Sequence, residues 1–121
     1  MKTTKIGLKR IYNDYSEEDG YRILLDRLWP RGIKKENAHI DLWLKEIAPS
    51  TELRKWFNHE EEKFLTFREK YLNELKEKQE IFEELKNIVR KHKRVTFLFA
   101  AKNEQYNHTT LLKDLLDELE N

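Results

Sequence analysis

Two short stretches hold the residue types and spacing that can do chemistry. Asp26-Arg27-Leu28-Trp29-Pro30-Arg31-Gly32 follows one apolar run, and Lys102-Asn103-Glu104-Gln105-Tyr106-Asn107-His108 follows another. Arginine forks grip carboxylate or phosphate at two points, so Arg27 and Arg31 are candidate anion ligands, grouped with Lys102, Asn103 and Arg10. Trp29 or Tyr106 would cover an apolar or planar part of the same ligand. His108 exchanges a proton near neutral pH without needing a large shift, which makes it the candidate general acid or base. Asp26 would orient it or hold an arginine. Plainer roles compete with each of these. An Asp-Arg pair at a strand end is commonly structural, a histidine at a helix start can simply cap it, and a loop tryptophan more often packs than binds.

These residues work together only if the elements carrying them meet. Tyr21–Leu28 reads as a strand with Leu24-Leu25 at its centre, and 95–101 (VTFLFAA) reads as the clearest strand, apolar enough for the middle of a sheet. If the two are parallel neighbours, the loops after them lie at one sheet edge. There Arg27, Trp29 and Arg31 would face Lys102, Asn103 and His108, the last at the positive start of a helix. Lys5–Tyr12 reads as a further strand. Only about eight residues part it from the next one, which by itself favours an antiparallel pair, because a parallel crossover usually takes a dozen or more.

Between Glu36 and Ile47 the periods conflict, with alternation at Ile40, Leu42 and Leu44 favouring a strand over a helix. Ser50 suits the N-cap of a short helix over 51–57. Asn58 with Glu61 resembles a capping box before a helix that buries Phe64, Phe67, Tyr71, Leu72 and Leu75 and ends near Lys78. A helix over 79–91 buries Ile81, Phe82, Leu85, Ile88 and Val89, and one over 107–119 buries Leu111, Leu112, Leu115, Leu116 and Leu119. Arg54, Trp56 and His59 form a second polar and aromatic group, in which a salt bridge is the expected role of Arg54. The order of elements predicts one α/β domain with a small mixed or mostly parallel sheet flanked by helices.

The totals exclude several functions. The chain has 121 residues, 39% of them charged, and a net charge of +1, so it is no general polyanion binder. The balance is uneven, with residues 1–35 carrying +4 and residues 36–121 carrying −3. With no cysteine, neither disulfides nor thiolate chemistry are available. The histidines at 39, 59, 92 and 108 show no paired spacing, and the glycines at 7, 20 and 32 are too scattered for a phosphate loop. No metal or cofactor is implied. No apolar run nears the ~18 residues of a membrane span, and the N-terminus lacks a signal-peptide core, so a cytoplasmic protein without membrane contact is expected. A nucleic-acid module using the basic first third, with Trp29 and Tyr106 as stacking surfaces, is the alternative to a small-anion site. A regulatory, partner-binding protein without catalysis is a third reading.

The strings KRIY, EDGYRILLDRLWPRG, DLWLKEIAPSTELRKWFNH and FLFAAKNEQYNH resemble the YeaO-like branch of the bacterial domain-of-unknown-function family 488 across nearly the whole chain. The resemblance implies a small cytoplasmic α/β protein with a mostly parallel sheet, in which a full helix links the first two strands. More distant members resemble Leu25-Asp26-Arg27 and Pro30-Arg31 at a strand end, and carry a Cys-His-Arg triplet after a later strand. Asn107-His108-Thr109 stands in that place here. The histidine is kept, so an arginine and histidine pocket carries over while cysteine chemistry does not.

Overall fold

A computed structural model describes residues 4–120, apart from the side chains of residues 119 and 120. The expected burial of Leu119 lies outside that description. In the sheet, β1 (Lys5–Arg10), β2 (Tyr21–Leu24), β3 (Leu42–Trp43) and β4 (Arg94–Phe99) are all parallel, in the order β1-β4-β2-β3. The helices are α1 (Lys35–Ala38), α2 (Thr51–Phe57), α3 (Phe64–Lys76), α4 (Gln79–Arg90) and α5 (His108–Glu120), with single 3-10 turns at Glu17–Asp19, Lys45–Ile47 and Glu61–Lys63. Among the described residues no helix is long and apolar enough to cross a membrane.

The apolar run of β4 puts it inside the sheet: Val95, Phe97, Leu98 and Phe99 are all buried, and Phe97 lies between Leu8 of β1 and Ile23 of β2. On one face, Ile23, Val95 and Phe97 meet the stripes of the longer helices, including Phe67, Tyr71, Leu85, Val89, Leu112 and Leu116. On the other, Leu24, Leu98 and Ile11 are covered by Trp29, Ile33, Ile40 and Trp43, which come from loops and the edge strand. That thinner layer is closed by the Trp29 indole, which stands edge-on to Trp43 at 5.4 Å and donates to the Ile33 carbonyl at 2.7 Å.

The antiparallel pairing expected for β1 and β2 is overturned. The two never touch, because β4 lies between them and pairs in parallel with both. Returning from the end of β1 to the start of β2 means crossing one strand and travelling back along four or five residues, roughly 18 Å. Ten residues reach about 33 Å when fully extended, so they cover that distance with slack, and a single 3-10 turn takes up part of it in place of a full helix. The dozen-residue guide assumes a helix in the crossover. β2 is also shorter than expected and stops at Leu24; Leu25 still donates its N–H to the Leu98 carbonyl of β4 at 3.4 Å, and Asp26 to Leu28 leave the sheet. The ambiguous region resolves into α1, the two-residue β3 and a 3-10 turn, so the strand is present but brief.

Ser50 caps α2 as expected, its Oγ accepting from the Leu53 N–H at 3.1 Å. Asn58 does not open a capping box. It closes α2 in the left-handed conformation at φ 47°, donating its N–H to the Arg54 carbonyl, and so is spent on the preceding helix.

Candidate functional site

The carboxyl ends of β2 and β4 are adjacent, and the residues leaving them converge. Asp26 turns its carboxylate to the end of β4, where Oδ2 accepts from the Ala100 N–H at 2.9 Å. Its own carbonyl accepts from the Trp43 indole at 2.7 Å, which fixes the Asp26 backbone as well. The remaining oxygen, Oδ1, lies 3.4 Å from Nε2 of His108 in the first turn of α5. Nε2 also lies 2.9 Å from the Leu25 carbonyl. A carbonyl only accepts, so the proton of the neutral ring sits on Nε2 and Nδ1 keeps its lone pair.

α5 reaches this place because Asn107 caps it. The Asn107 amide oxygen accepts from the Thr110 N–H at 2.9 Å, and its nitrogen donates to the Asn103 carbonyl at 2.8 Å. Asn103 in turn folds the loop, its Oδ1 accepting from the N–H groups of Gln105 and Tyr106. Tyr71 of α3 packs edge-on beneath the imidazole at 6.0 Å and donates to the Ile47 carbonyl at 2.6 Å. Burial raises the Tyr71 phenol well above its ordinary value, so it is a fixed donor rather than an acid.

Burial pulls His108 below its ordinary value of 6.5; Asp26 and the Leu25 carbonyl pull it back, and Arg54 and Arg27 push it down again. A histidine lowered in the folded state contributes stability that is present above pH 6.5 and is lost as pH falls below it, because the unfolded chain takes the proton first. Imidazole nitrogen NMR is expected to show the Nε2–H tautomer titrating below 6.5, with a further fall in Asp26→Asn, which removes the negative charge. A midpoint above 6.5, or one unmoved by Asp26→Asn, would contradict this assignment.

Of the other residues that sequence assigned to this site, Arg27 is the one that acts on this pair. Arg27 directs its guanidinium away from the β4 loop and donates to the carbonyls of Pro49 and Ala48 at 3.2 and 3.1 Å, while remaining within electrostatic range of His108. Trp29 lies in the layer on the second face of the sheet. Arg31 is exposed, and its carbonyl accepts from the Tyr12 hydroxyl at 2.9 Å. Arg10 braces the loop after β4 by donating to the carbonyls of Ala101 and Ala100, under the ring of Tyr12. Asn103 serves its own loop and bonds Glu61 at 3.0 Å, and Lys102 is an exposed side chain on that loop. Tyr106 packs edge-on against Phe64.

Arg54 is the residue that sequence undervalued. The salt bridge expected for it is not formed: its half-buried guanidinium has no hydrogen-bond or carboxylate partner among the described residues, yet lies within electrostatic range of His108. Nothing in its local spacing marks it, because α2 and β2 meet only through tertiary packing. Two concavities lie elsewhere, about 600 Å³ along α4 and about 420 Å³ beside β1. The larger is lined by Glu80, Glu83 and Glu84 from a single helix, a poor surface for an anion. Among the described residues no group of three or more His, Asp or Glu side chains could hold a metal ion.

Fold and site together define a small parallel α/β protein with an Asp–His pair and flanking arginines at the carboxyl edge of its sheet. The chain belongs to domain-of-unknown-function family 488, matching over residues 5–121 the branch described as the inactive DUF488-N3 subclade. It is a YeaO-like member: the uncharacterised protein YeaO of Escherichia coli (strain K12) is 49% identical over 114 residues, covering 94% of this chain and 98% of that protein. The uncharacterised Rv3073c of Mycobacterium tuberculosis (strain H37Rv) and Mb3100c of Mycobacterium bovis are each 35% identical over 117 residues, 97% of this chain and 98% of theirs. No solved structure matches.

Proposed function

We propose that this protein binds an anionic small molecule, phosphorylated or carboxylated, at the edge formed by Asp26, Arg27, Arg54 and His108, and holds it without covalent catalysis. The observation that carries this reading is Arg54, a half-buried cation with no partner among the described residues, acting on the same histidine as a second cation, Arg27. Desolvating a charge without a counter-ion is costly, and an incoming anion repays it. Cysteine chemistry is unavailable, because the chain has no cysteine and the residue before His108 is Asn107, whose amide caps α5. The description of the subclade as inactive agrees with binding alone.

The test is thermal denaturation with a panel of phosphate esters and carboxylates. A ligand at a hundredfold excess over its Kd is expected to stabilise the native chain by about 2.7 kcal/mol, read as a rise of several degrees in Tm. Arg54→Gln and His108→Gln are expected to abolish most of that rise. If no anion stabilises the native chain, or both variants respond as it does, the proposal fails.

A further inference from the structure

Arg27 is not the only cation on the Ala48 carbonyl. Lys78, at the junction of α3 and α4, donates its ammonium to the same oxygen at 2.9 Å, while Arg27 Nη2 reaches it at 3.1 Å. Two half-buried cations thus converge on one neutral acceptor, and neither forms a salt bridge among the described residues. The carboxylate near them is committed elsewhere, since Glu74 accepts from the Ser50 N–H at 2.8 Å and from the Ser50 hydroxyl at 2.6 Å. The strain is visible on the ammonium: burial and then Arg27 lower the Lys78 pKa, and Glu74 and Glu46 offset only part of this.

We infer that Lys78 belongs to the binding site and that Arg27 and Lys78 together seat a tetrahedral oxyanion, the phosphoryl end of the ligand. This rests on the anion-binding reading above and adds to it the position and class of the charged group. After its two carbonyl bonds Arg27 retains free N–H donors on its guanidinium, and Lys78 retains two on its ammonium. A planar carboxylate carries one negative charge and sets both its oxygens in the plane of a single guanidinium fork, which by itself balances that charge. A tetrahedral oxyanion has further oxygens pointing out of that plane, so it can meet the fork and the ammonium at once. Arg27 also lies within electrostatic range of His108, so the body of the ligand extends from Lys78 toward the Asp26–His108 pair.

Sulfate is the probe, because it is tetrahedral and doubly charged and does not titrate near neutral pH. Calorimetric titration is expected to show sulfate bound more tightly than acetate, with Lys78→Met weakening sulfate at least tenfold and leaving acetate within twofold. Lys78→Arg is expected to restore most of the sulfate affinity. A second readout on the unaltered chain is acetylation mapped by mass spectrometry, where sulfate should shield Lys78 and leave exposed lysines such as Lys102 unchanged. Sulfate binding equal in Lys78→Met and the native chain would overturn the inference. If Arg54→Gln abolishes that binding, the anion site stands and only the role of Lys78 falls. Failure of the native chain to bind sulfate also overturns it, while carboxylate binding in the same experiment would leave the broader reading intact. Binding of neither removes both.

Discussion

Arg22→Met is expected to destabilise the protein by about 3–5 kcal/mol, the range for breaking a buried ion pair from one side. Arg22 is 2% exposed and Asp19 8%, and the two are joined directly through Nη1 and Oδ2. The same guanidinium donates to the carbonyls of His39 and Ala38 at 2.9 and 3.3 Å, with the Tyr15 ring over it at 5.2 Å. Methionine fills much of the volume but supplies no donor, so it leaves a buried carboxylate short of a counter-ion and two carbonyls unpaired. Lys9, 2.9 Å from Oδ1 of Asp19, compensates only in part. Total stabilities of about 5–15 kcal/mol make this a large share, and urea denaturation would read it directly. Replacing Asp19 and Arg22 together by apolar residues is expected to cost less than Arg22→Met alone, because no charge is then stranded. A loss below about 1 kcal/mol in Arg22→Met would show that the pair is not structural.

The same pair sets an acid limit. Burial raises the Asp19 carboxyl, but hydrogen bonds from Lys9, the Ser16 N–H and Arg22 outweigh it and hold the group below its ordinary value of 3.8. A carboxylate depressed in the folded state contributes stability that is fully present above the unfolded value and is lost as pH falls through the folded one. Stability should therefore drop below pH 3.8, and the drop should shrink in Asp19→Asn.

Gly20→Ala is the second large loss, at about 3 kcal/mol. Gly20 links the Glu17–Asp19 turn to β2 at φ 70° and ψ −136°, a region that alanine rarely enters. A Cβ there would stand 2.3 Å from the Arg94 carbonyl oxygen, which is backbone at the start of the central strand and has little room to yield. Gly32 separates the two causes. It also has positive φ, at 80°, but a Cβ added there meets nothing within 4 Å. Gly32→Ala should therefore cost only the conformational strain, about 1 kcal/mol. Equal losses in the two variants, measured by thermal unfolding, would mean that the contact with Arg94 contributes nothing.

How far the sequence reaches can be judged from particular residues. The stripe Phe67, Tyr71 and Leu75 predicts α3 and its buried side, because a helix repeats its face every 3.6 residues whatever covers it. The run from Val95 to Phe99 predicts a central strand because only a strand covered on both faces can afford no polar alternation. The meeting of the 26–27 and 107–108 segments is legible too, since it follows once β2 and β4 are parallel neighbours. The partners of Arg27 are not legible, because the Ala48 and Pro49 carbonyls lie more than twenty residues along the chain, and neither is the approach of Arg54 to His108, which depends on where α2 packs. Lys78 sits within a run of lysines and glutamates that reads as solvent-facing.

By itself, then, the sequence determined α2 to α5, the central strand and the absence of thiol chemistry, and it singled out Asp26 and His108, which the fold brings within 3.4 Å. Tertiary structure alone decided that β4 separates β1 from β2, that Arg10, Trp29 and Asn103 are spent on holding loops, and that Arg27 turns toward Lys78 rather than the loop after β4. The reason is physical. Periodicity and apolar content record how much of an element is buried, whereas the partner of a cation depends on which backbone carbonyls the packing of distant elements leaves within reach.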